Sequence, residues 1–567
     1  MPGLRSSISL IALAGALLAL PGGAVAQEAG TEPEPIPGSP LAIDVEPFVG
    51  SPATADPHRR LRVPRHPFMA PNPLSNIHND AYQSDVYNRP GPLGEDMETS
   101  SALFTRECAS VTFDRRGRIV TVCVGLDRPV LAVLDPETFE PYSTMDLPPR
   151  DTGSGNPFSN FAGGGYFYLD HRDRAVVPTS ERHILVVRVT GAGQLVVRRD
   201  FDLSARVPDG DAIIAVMPDW RGRIWFATTK GRVGFVTRRG RIAVRATGEP
   251  IGNSFAVDER GGVYIVTNGA LYRFQAGRRG RVRTIWRQPY PNVGEVKPGQ
   301  TQAGSGTTPT LMGRRLVAIT DNAEHMAVRV YQRTRRARGK RLVCRQRVFD
   351  REASSTDQSL IATRRSIVVE NNYGYTGVAA TMNGATTTPG LERVDLDGDG
   401  RGCDIAWHSD EISPSAVPKL SLRSGLVYTY TKPERDDVLD AWYLTAIDFD
   451  NGKTRWRRLA GTGFGYNNNF APITLARGAV ARPRSRNGIS VSNPVQRMTT
   501  SGSKLPPSAN TARCPSKRAI APARRHLPVT RAVTHSSDFV PNCSWSVPPD
   551  SASSSRVSRA VARSVRV

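Results

Sequence analysis

Residues 444–461 read LTAIDFDNGKTRWRRLAG. Leu444, Ala446 and Asp448 alternate with their neighbours, Asn451-Gly452 signals a turn, and Lys453, Thr454, Arg455 and Trp456 follow. Period-2 alternation on both sides of Asn-Gly predicts two short strands joined by a hairpin, with the Trp456 indole as packing anchor. A looser copy runs from Asp395 to Trp407 with a longer, more acidic turn. Further out, a second unit recurs: Asp-x-x-Gly-x, then alternating β-formers. Its copies are DRRGRIVTV (114–122), DWRGRIWFAT (219–228) and DERGGVYIVT (258–267), with degenerate versions MGRRLVAIT (312–320), TRRSIVVE (363–370) and LRSGLVYTYT (422–431). Asp-x-x-Gly supplies a tight turn in which Gly tolerates positive φ, and the Val/Ile/aromatic run supplies the next strand.

Each unit continues into one or two more strands, as in GRVGFVTRRGRIAVRAT (231–247). Four strands per unit, recurring mostly every roughly 40–60 residues, predict an all-β β-propeller. Seven units are recognisable between about 108 and 460, and Tyr466–Leu475 starts another, so seven or eight four-stranded blades are expected. Each small sheet is apolar on both faces and is buried only by its neighbours, so the ring has to close.

The pattern Ala446-x-Asp448-x-x-x-Gly452-Lys453-x-x-Trp456 resembles the docking motif of the quinoprotein-like (PQQ-binding-like) β-propellers. The resemblance implies that the Trp of one blade packs between neighbouring blades while the Asp and Gly shape the outer hairpin. The quinone-dependent dehydrogenases of that group carry a vicinal Cys-Cys pair under the cofactor. No Cys-Cys occurs here, so PQQ is not expected.

The chain ends differ from this body. Arg5, the apolar run Ile8–Leu20 and Ala24-Val25-Ala26 form a secretory signal peptide over 1–26 with cleavage after Ala26, so a secreted or extracytoplasmic protein is expected. Residues 27–63, rich in Pro, Glu, Gly and Ala, read as a disordered linker. Residues 64–107 read as an ordered loop or clasp across a domain face. Within it, His78, Asn79, Asp80, Tyr82 and Asp85 are either packing groups of a plug or ligand groups. The propeller is expected over 108–476. Residues 477–567, rich in Pro, Ser and Arg, read as a basic disordered tail or as out-of-frame translation that truncates the last blade.

The net charge is +23, yet residues 479–567 carry 15 Lys and Arg against two Asp, more than half of the excess. The remaining basic residues spread over hairpin turns, and no nucleic-acid-binding motif accompanies them. Nucleic acid is therefore not an expected partner, no segment reads as a membrane span, and a monomer is expected. Six cysteines in an exported chain suggest disulfides. With Arg115-Arg116 at a hairpin tip, register counting sets Cys108 opposite Cys123. Cys344 and Cys403 fall on outer strands of successive blades and are expected to staple them, whereas Cys514 and Cys543 lie in the tail.

In four-stranded blades, the loop after the second strand and the connection to the next blade lie at one end, around the channel. The richest such loops carry Asp321-Asn322, Glu370-Asn371-Asn372-Tyr373 and Lys432, with His325 as a candidate base. They either satisfy backbone groups at strand ends or ring a funnel that binds a polar ligand or hard cation. The turn Asp395-Leu396-Asp397-Gly398-Asp399-Gly400 is the clearest metal-like motif, with carboxylates spaced as in Ca²⁺ loops and Asp404 as a later ligand. It lacks the Glu of an EF-hand at the twelfth position, which is Ala406. The expectation is a binding or scaffolding protein, leaning away from enzyme activity, with catalytic residues unassigned. The alternatives are metal-assisted hydrolysis of an ester or lactone through Glu370, Asn371 and Asp321, and quinone-linked oxidation.

Overall fold

Short, Gly-turned strands whose two faces are both apolar can bury themselves only against sheets of the same kind. The computed structural model describes residues 45–71, 74–102, 106–125, 128–150, 161–476, 488–492 and 495–500. These form a β-propeller of seven four-stranded sheets and one six-stranded sheet. The first six blades are simple antiparallel meanders over 107–146, 168–202, 213–246, 256–289, 310–347 and 361–409. The seventh, over 419–462, gains Phe48–Gly50 antiparallel on its outer strand and Val86–Tyr87 parallel on its inner strand. In the eighth, Ile473–Ala476, Gly488–Ser492 and Val495–Thr500 are completed by the N-terminal strand Met97–Ala102 as outermost member. The described residues hold no α-helix, only two 3-10 turns, and no helix long and apolar enough to cross a membrane.

Apolar seams join the successive blades. Val120 and Val122 meet Phe167 and Leu169 between the first and second. Trp225 and Phe235 meet Val257 and Phe274 between the third and fourth. Tyr428, Trp442 and Trp456 meet Ile473 and Leu475 between the seventh and eighth. Ala102 packs with Val111 and Phe113, so the eighth blade also covers the first.

The hairpin at 444–461 differs from a two-residue Asn-Gly turn. Asp448 N–H donates to the Lys453 carbonyl, which leaves Phe449–Gly452 as a four-residue loop. The loop forms because Asp448 Oδ1 accepts the Asp450 and Asn451 N–H groups at 2.9 and 3.3 Å, and Gly452 takes a φ of +74°. The docking contact is made by the preceding blade's indole: Trp407 Nε1 donates to the Phe449 carbonyl at 2.8 Å. A β-carbon on Gly452 would lie 2.7 Å from that ring. Trp456 is itself fully buried, and a β-carbon on Gly94 would lie 2.7 Å from its ring.

The Asp-x-x-Gly turns are capped alike. Asp114 and Asp219 each accept backbone N–H groups two and four residues on, and each pairs with the Arg four residues on. The second blade repeats this at Asp170 and Arg174. There Asp173 occupies the Gly position at φ 55°, which hides the copy from a Gly-based reading.

Both expected disulfides are formed, Cys108–Cys123 and Cys344–Cys403. Cys108 does face Cys123, though not by uninterrupted counting from the tip. Phe113 pairs with Ile119 rather than Arg118, and a bulge between Cys108 and Ser110 shifts the register by one residue. Cys344 and Cys403 sit on the outermost strands of the fifth and sixth blades, as expected.

Two segments depart from their sequence reading. Residues 45–63, assigned to a disordered linker, contain the strand Phe48–Gly50 paired to Arg458, Arg457 and Trp456. The stretch from 477, expected to lack strands, contains Gly488–Ser492 and Val495–Thr500, so the last blade is not truncated. The signal peptide, Cys514 and Cys543 lie outside the described residues.

Candidate functional site

Residues 69–71 and 74–89 thread the propeller axis. Ala70 N–H donates to Leu169 O, Val257 N–H to Ala81 O, Leu311 N–H to Tyr82 O, Ala362 N–H to Ser84 O and Leu420 N–H to Asp85 O. The segment thus bonds in turn to the inner strands of the second, fourth, fifth, sixth and seventh blades. So tight a path needs sharp local turns, and Asn79, Gln83 and Asp85 all have positive φ. Asp80 stabilises them, accepting from Tyr82 N–H at 2.8 Å and Ser84 Oγ at 2.6 Å, and burial pushes its carboxyl up to about 6. The Tyr82 hydroxyl donates to Glu259 and receives Arg333 Nη2 at 3.0 Å. Asn79 Nδ2 donates to Val86 O.

Of the channel-end residues singled out from the sequence, Asp321, Asn322, Glu370, Asn371, Asn372 and Lys432 are buried and Tyr373 and His325 half-buried, and each is bonded within its own network. Asp321 accepts from the Ala323 and Ala327 N–H groups and pairs with Arg329. Asn322 Nδ2 donates to Asn292 Oδ1 and Glu295 O. Glu370 accepts from Asn372 Nδ2 at 2.9 Å, Ser413 Oγ at 2.7 Å and Thr429 Oγ1 at 3.1 Å, and burial pushes its carboxyl up to about 8. Asn371 Nδ2 donates to Ala353 O and Pro389 O, and its Oδ1 accepts the Tyr373 N–H. Lys432 donates to Ala385 O and pairs with Asp440 at 3.1 Å. His325 Nε2 lies 2.9 Å from Phe349 O. These groups bind the loop after a second strand to the neighbouring connection. Of the set, only Glu370 and Asn372 meet directly through their side chains.

At the acidic turn, both Asp395 carboxylate oxygens bond Arg393, and Asp399 Oδ1 accepts the Arg401 N–H. Asp397 N–H donates to Gly402 O. Among the described residues, the one group of three His, Cys, Asp or Glu side chains whose donor atoms converge is Asp56, His58 and Asp450.

A cavity of about 30 Å³ lies at the axis where the connections between blades come together. The threaded segment contributes Ile77 and His78, and the connections contribute Phe161, Tyr166, Asp357, Gln358, Ser359, Asn469 and Phe470, with Glu107 alongside. Phe470 and Asn469 have positive φ, 65° and 37°, an uncommon state for a bulky side chain that holds the Phe470 ring 5.9 Å from Phe161. Phe161 in turn lies 5.7 Å from Tyr166. Asp357 takes a hydrogen bond from Thr301 Oγ1 at 2.7 Å, and desolvation pushes its carboxyl up to about 7. Glu107 accepts from Asn469 Nδ2 at 2.7 Å.

Beneath this cavity, His78 is 2 % exposed and Asp85 fully buried. His78 Nδ1 lies 3.1 Å from Asp85 Oδ2, while Nε2 lies 3.1 Å from Ser359 Oγ and 3.3 Å from Thr308 Oγ1. Lys419 Nζ contacts Asp85 and donates to Ile77 O. Burial lowers the affinity of His78 for a second proton, against the opposing pull of Asp85. The sequence reading found His78 and Asp85 but missed Asp357, Ser359, Phe161 and Tyr166. It surveyed loops after second strands, whereas these four lie on connections between blades. The aromatic-glycine run FAGGGYF (161–167) was the available signal.

No known family profile matches the chain. A protein of Archaeoglobus fulgidus described only as uncharacterized is 28% identical over 236 residues, which are 37% of this chain and 45% of that protein. The match therefore spans less than half of the relative. Among solved structures, virginiamycin B lyase from Staphylococcus aureus is similar at 10% identity and a TM-score of 0.36, covering 59% of this chain and 94% of the lyase. A putative 6-phosphogluconolactonase from Bacteroides fragilis is similar at 10% identity and a TM-score of 0.34, covering 52% and 82%. Hsv2 from Kluyveromyces lactis is similar at 10% identity and a TM-score of 0.35, covering 60% and 93%. At this level the likenesses carry no chemistry.

Proposed function

We propose that the protein is a binding propeller whose axial cavity takes a small ammonium group, the head of a primary amine. One observation carries this reading. In a chain of net charge +23, the cavity is lined by two carboxylates, Asp357 and Glu107, and by no Lys or Arg. The two larger cavities contrast with it: one is lined by Arg172, Arg174, Arg199 and Arg238, the other by Arg329, Arg345, Arg347 and Arg351. Phe161, Tyr166 and Phe470 add ring faces, which favour a cation by their quadrupoles. The cavity has room for a small headgroup.

Asp357 sets the pH response. Its carboxyl holds a proton up to about pH 7, and the ammonium group attracts only the ionised form. Affinity therefore rises with pH, by on the order of tenfold between pH 5.5 and 8. Isothermal titration of the full chain with ethanolamine at those two pH values tests this, with Asp357→Asn expected to abolish the pH dependence. Binding that is absent at both pH values, or indifferent to Asp357→Asn, overturns the reading.

A further inference from the structure

The contacts under the cavity have the order of a nucleophile, a base and an orienting carboxylate. Ser359 Oγ stands 3.1 Å from His78 Nε2, and the other ring nitrogen stands 3.1 Å from Asp85. With Nδ1–H directed at Asp85, Nε2 is left as the acceptor, and a hydroxyl has to donate to it. Two hydroxyls are within reach, but Ser359 is the closer and lines the cavity, whereas Thr308 does not. The Thr308 N–H donates to Ser359 Oγ at 3.2 Å, which helps fix the hydroxyl beside His78 Nε2. Lys419 braces Asp85 from its other side. His78 arrives on the threaded segment and Ser359 on the connection between the fifth and sixth blades, 281 residues apart in sequence.

The geometry points to an acyl-transfer site, in which Ser359 is the nucleophile, His78 the general base and Asp85 a positioning residue, acting on a short-chain ester whose alcohol portion carries an ammonium group. This deepens the binding reading and rests on it: the ammonium head beside Asp357 presents the carbonyl to Ser359, two residues along the same connection. In the first step Ser359 Oγ bonds to the carbonyl carbon, its proton passes to His78 Nε2, and the carbonyl π pair moves onto oxygen. Collapse restores the carbonyl and breaks the bond to the alcohol, which leaves with the proton from His78. Water then repeats the sequence on the acyl-serine, releasing the carboxylic acid and regenerating Ser359. Gln358, whose Nε2 uses one hydrogen on Ser415 O, supplies a second N–H among the groups lining the cavity.

The full chain is incubated with diisopropyl fluorophosphate and mapped by peptide mass spectrometry, and hydrolysis of O-acetylethanolamine is followed by proton NMR. The expected result is a phosphoryl adduct on Ser359 and turnover that falls at least 100-fold in Ser359→Ala. Ethanolamine titration and thermal unfolding of Ser359→Ala are run beside it. Retained binding and stability with no adduct and no turnover in the wild type overturn the acyl-transfer site and leave the amine site standing. Loss of both binding and turnover in the wild type overturns the two together. Turnover that Ser359→Ala leaves unchanged assigns the network to anchoring the threaded segment and likewise overturns the inference.

Discussion

Lys419 and Asp85 are fully buried on the two sides of the contact between the threaded segment and the seventh blade. Removing one partner leaves the other charge desolvated and unpaired, so Lys419→Met is expected to destabilise the protein by about 3–5 kcal/mol. Denaturant unfolding checks this, and the double variant with Asp85→Asn is expected to recover part of the loss. Glu370 makes a pH prediction. Its carboxyl titrates at about 8 in the folded chain and at about 4.3 when unfolded. Between those values the folded state holds the proton and the unfolded state does not. The stabilisation is thus fully present below pH 4.3 and drains away as pH rises towards 8. Glu370→Gln is expected to flatten the fall of the unfolding midpoint between pH 5 and 8. Asp357 and Asp80, whose carboxyls are raised to about 7 and about 6, contribute to the slope that remains below pH 7. At this scale the sequence was legible in residue type but not in use. Asp321, Glu370 and Lys432 read as ligand groups because they are polar and share one end of the blades. Their bonding capacity is taken up by Arg329, by Ser413 and Thr429, and by Asp440, which no sequence spacing announces.

Between elements, the Trp407 indole resting on the Phe449–Gly452 loop is the joint of the sixth and seventh blades. Gly452→Ala places a β-carbon against that ring at a positive φ, and is expected to cost about 1–2 kcal/mol or more. Trp407→Ala is expected to cost about 3–5 kcal/mol, and thermal unfolding ranks the two. The covalent joints follow loop length. In the chain-entropy view, cross-linking the 59-residue separation of Cys344 and Cys403 restricts the unfolded chain more than the 15-residue separation of Cys108 and Cys123. Opening the first by paired Ser substitutions is expected to cost about 4 kcal/mol and opening the second about 3, compared by denaturant midpoints. Elements were the most legible level, since alternation and Asp-x-x-Gly turns identify strands locally. The misses came from side chains that override local counting. Asp448 widens a two-residue turn to four, the bulge beside Cys108 shifts a register, and Asp173 takes a glycine's place.

For the whole molecule, closure is the step on which every seam depends. The eighth blade draws three strands from one end of the chain and its outer strand from Met97–Ala102. Gly488–Ser492 lies inside that sheet with a neighbour on each side, and a proline there removes a donor from the ladder. Ser490→Pro is expected to cost about 3 kcal/mol or more and to expose the first and seventh blades to protease before the third and fourth, followed by limited proteolysis. The repeat made the wheel legible, but the tail's composition concealed its last strands. Short β-runs there are set among Arg, Pro and Ser, and the last of them, Val495–Thr500, pairs with a strand almost 400 residues upstream in sequence, which no local pattern reveals.

The order in which these parts are made has a consequence of its own. Residues 74–89 run through the hub, yet a ribosome releases them ahead of all four meander strands of each of the first seven blades. The growing chain therefore owns its axle before it has a single complete blade, and the sheets have to gather around a cord already in place.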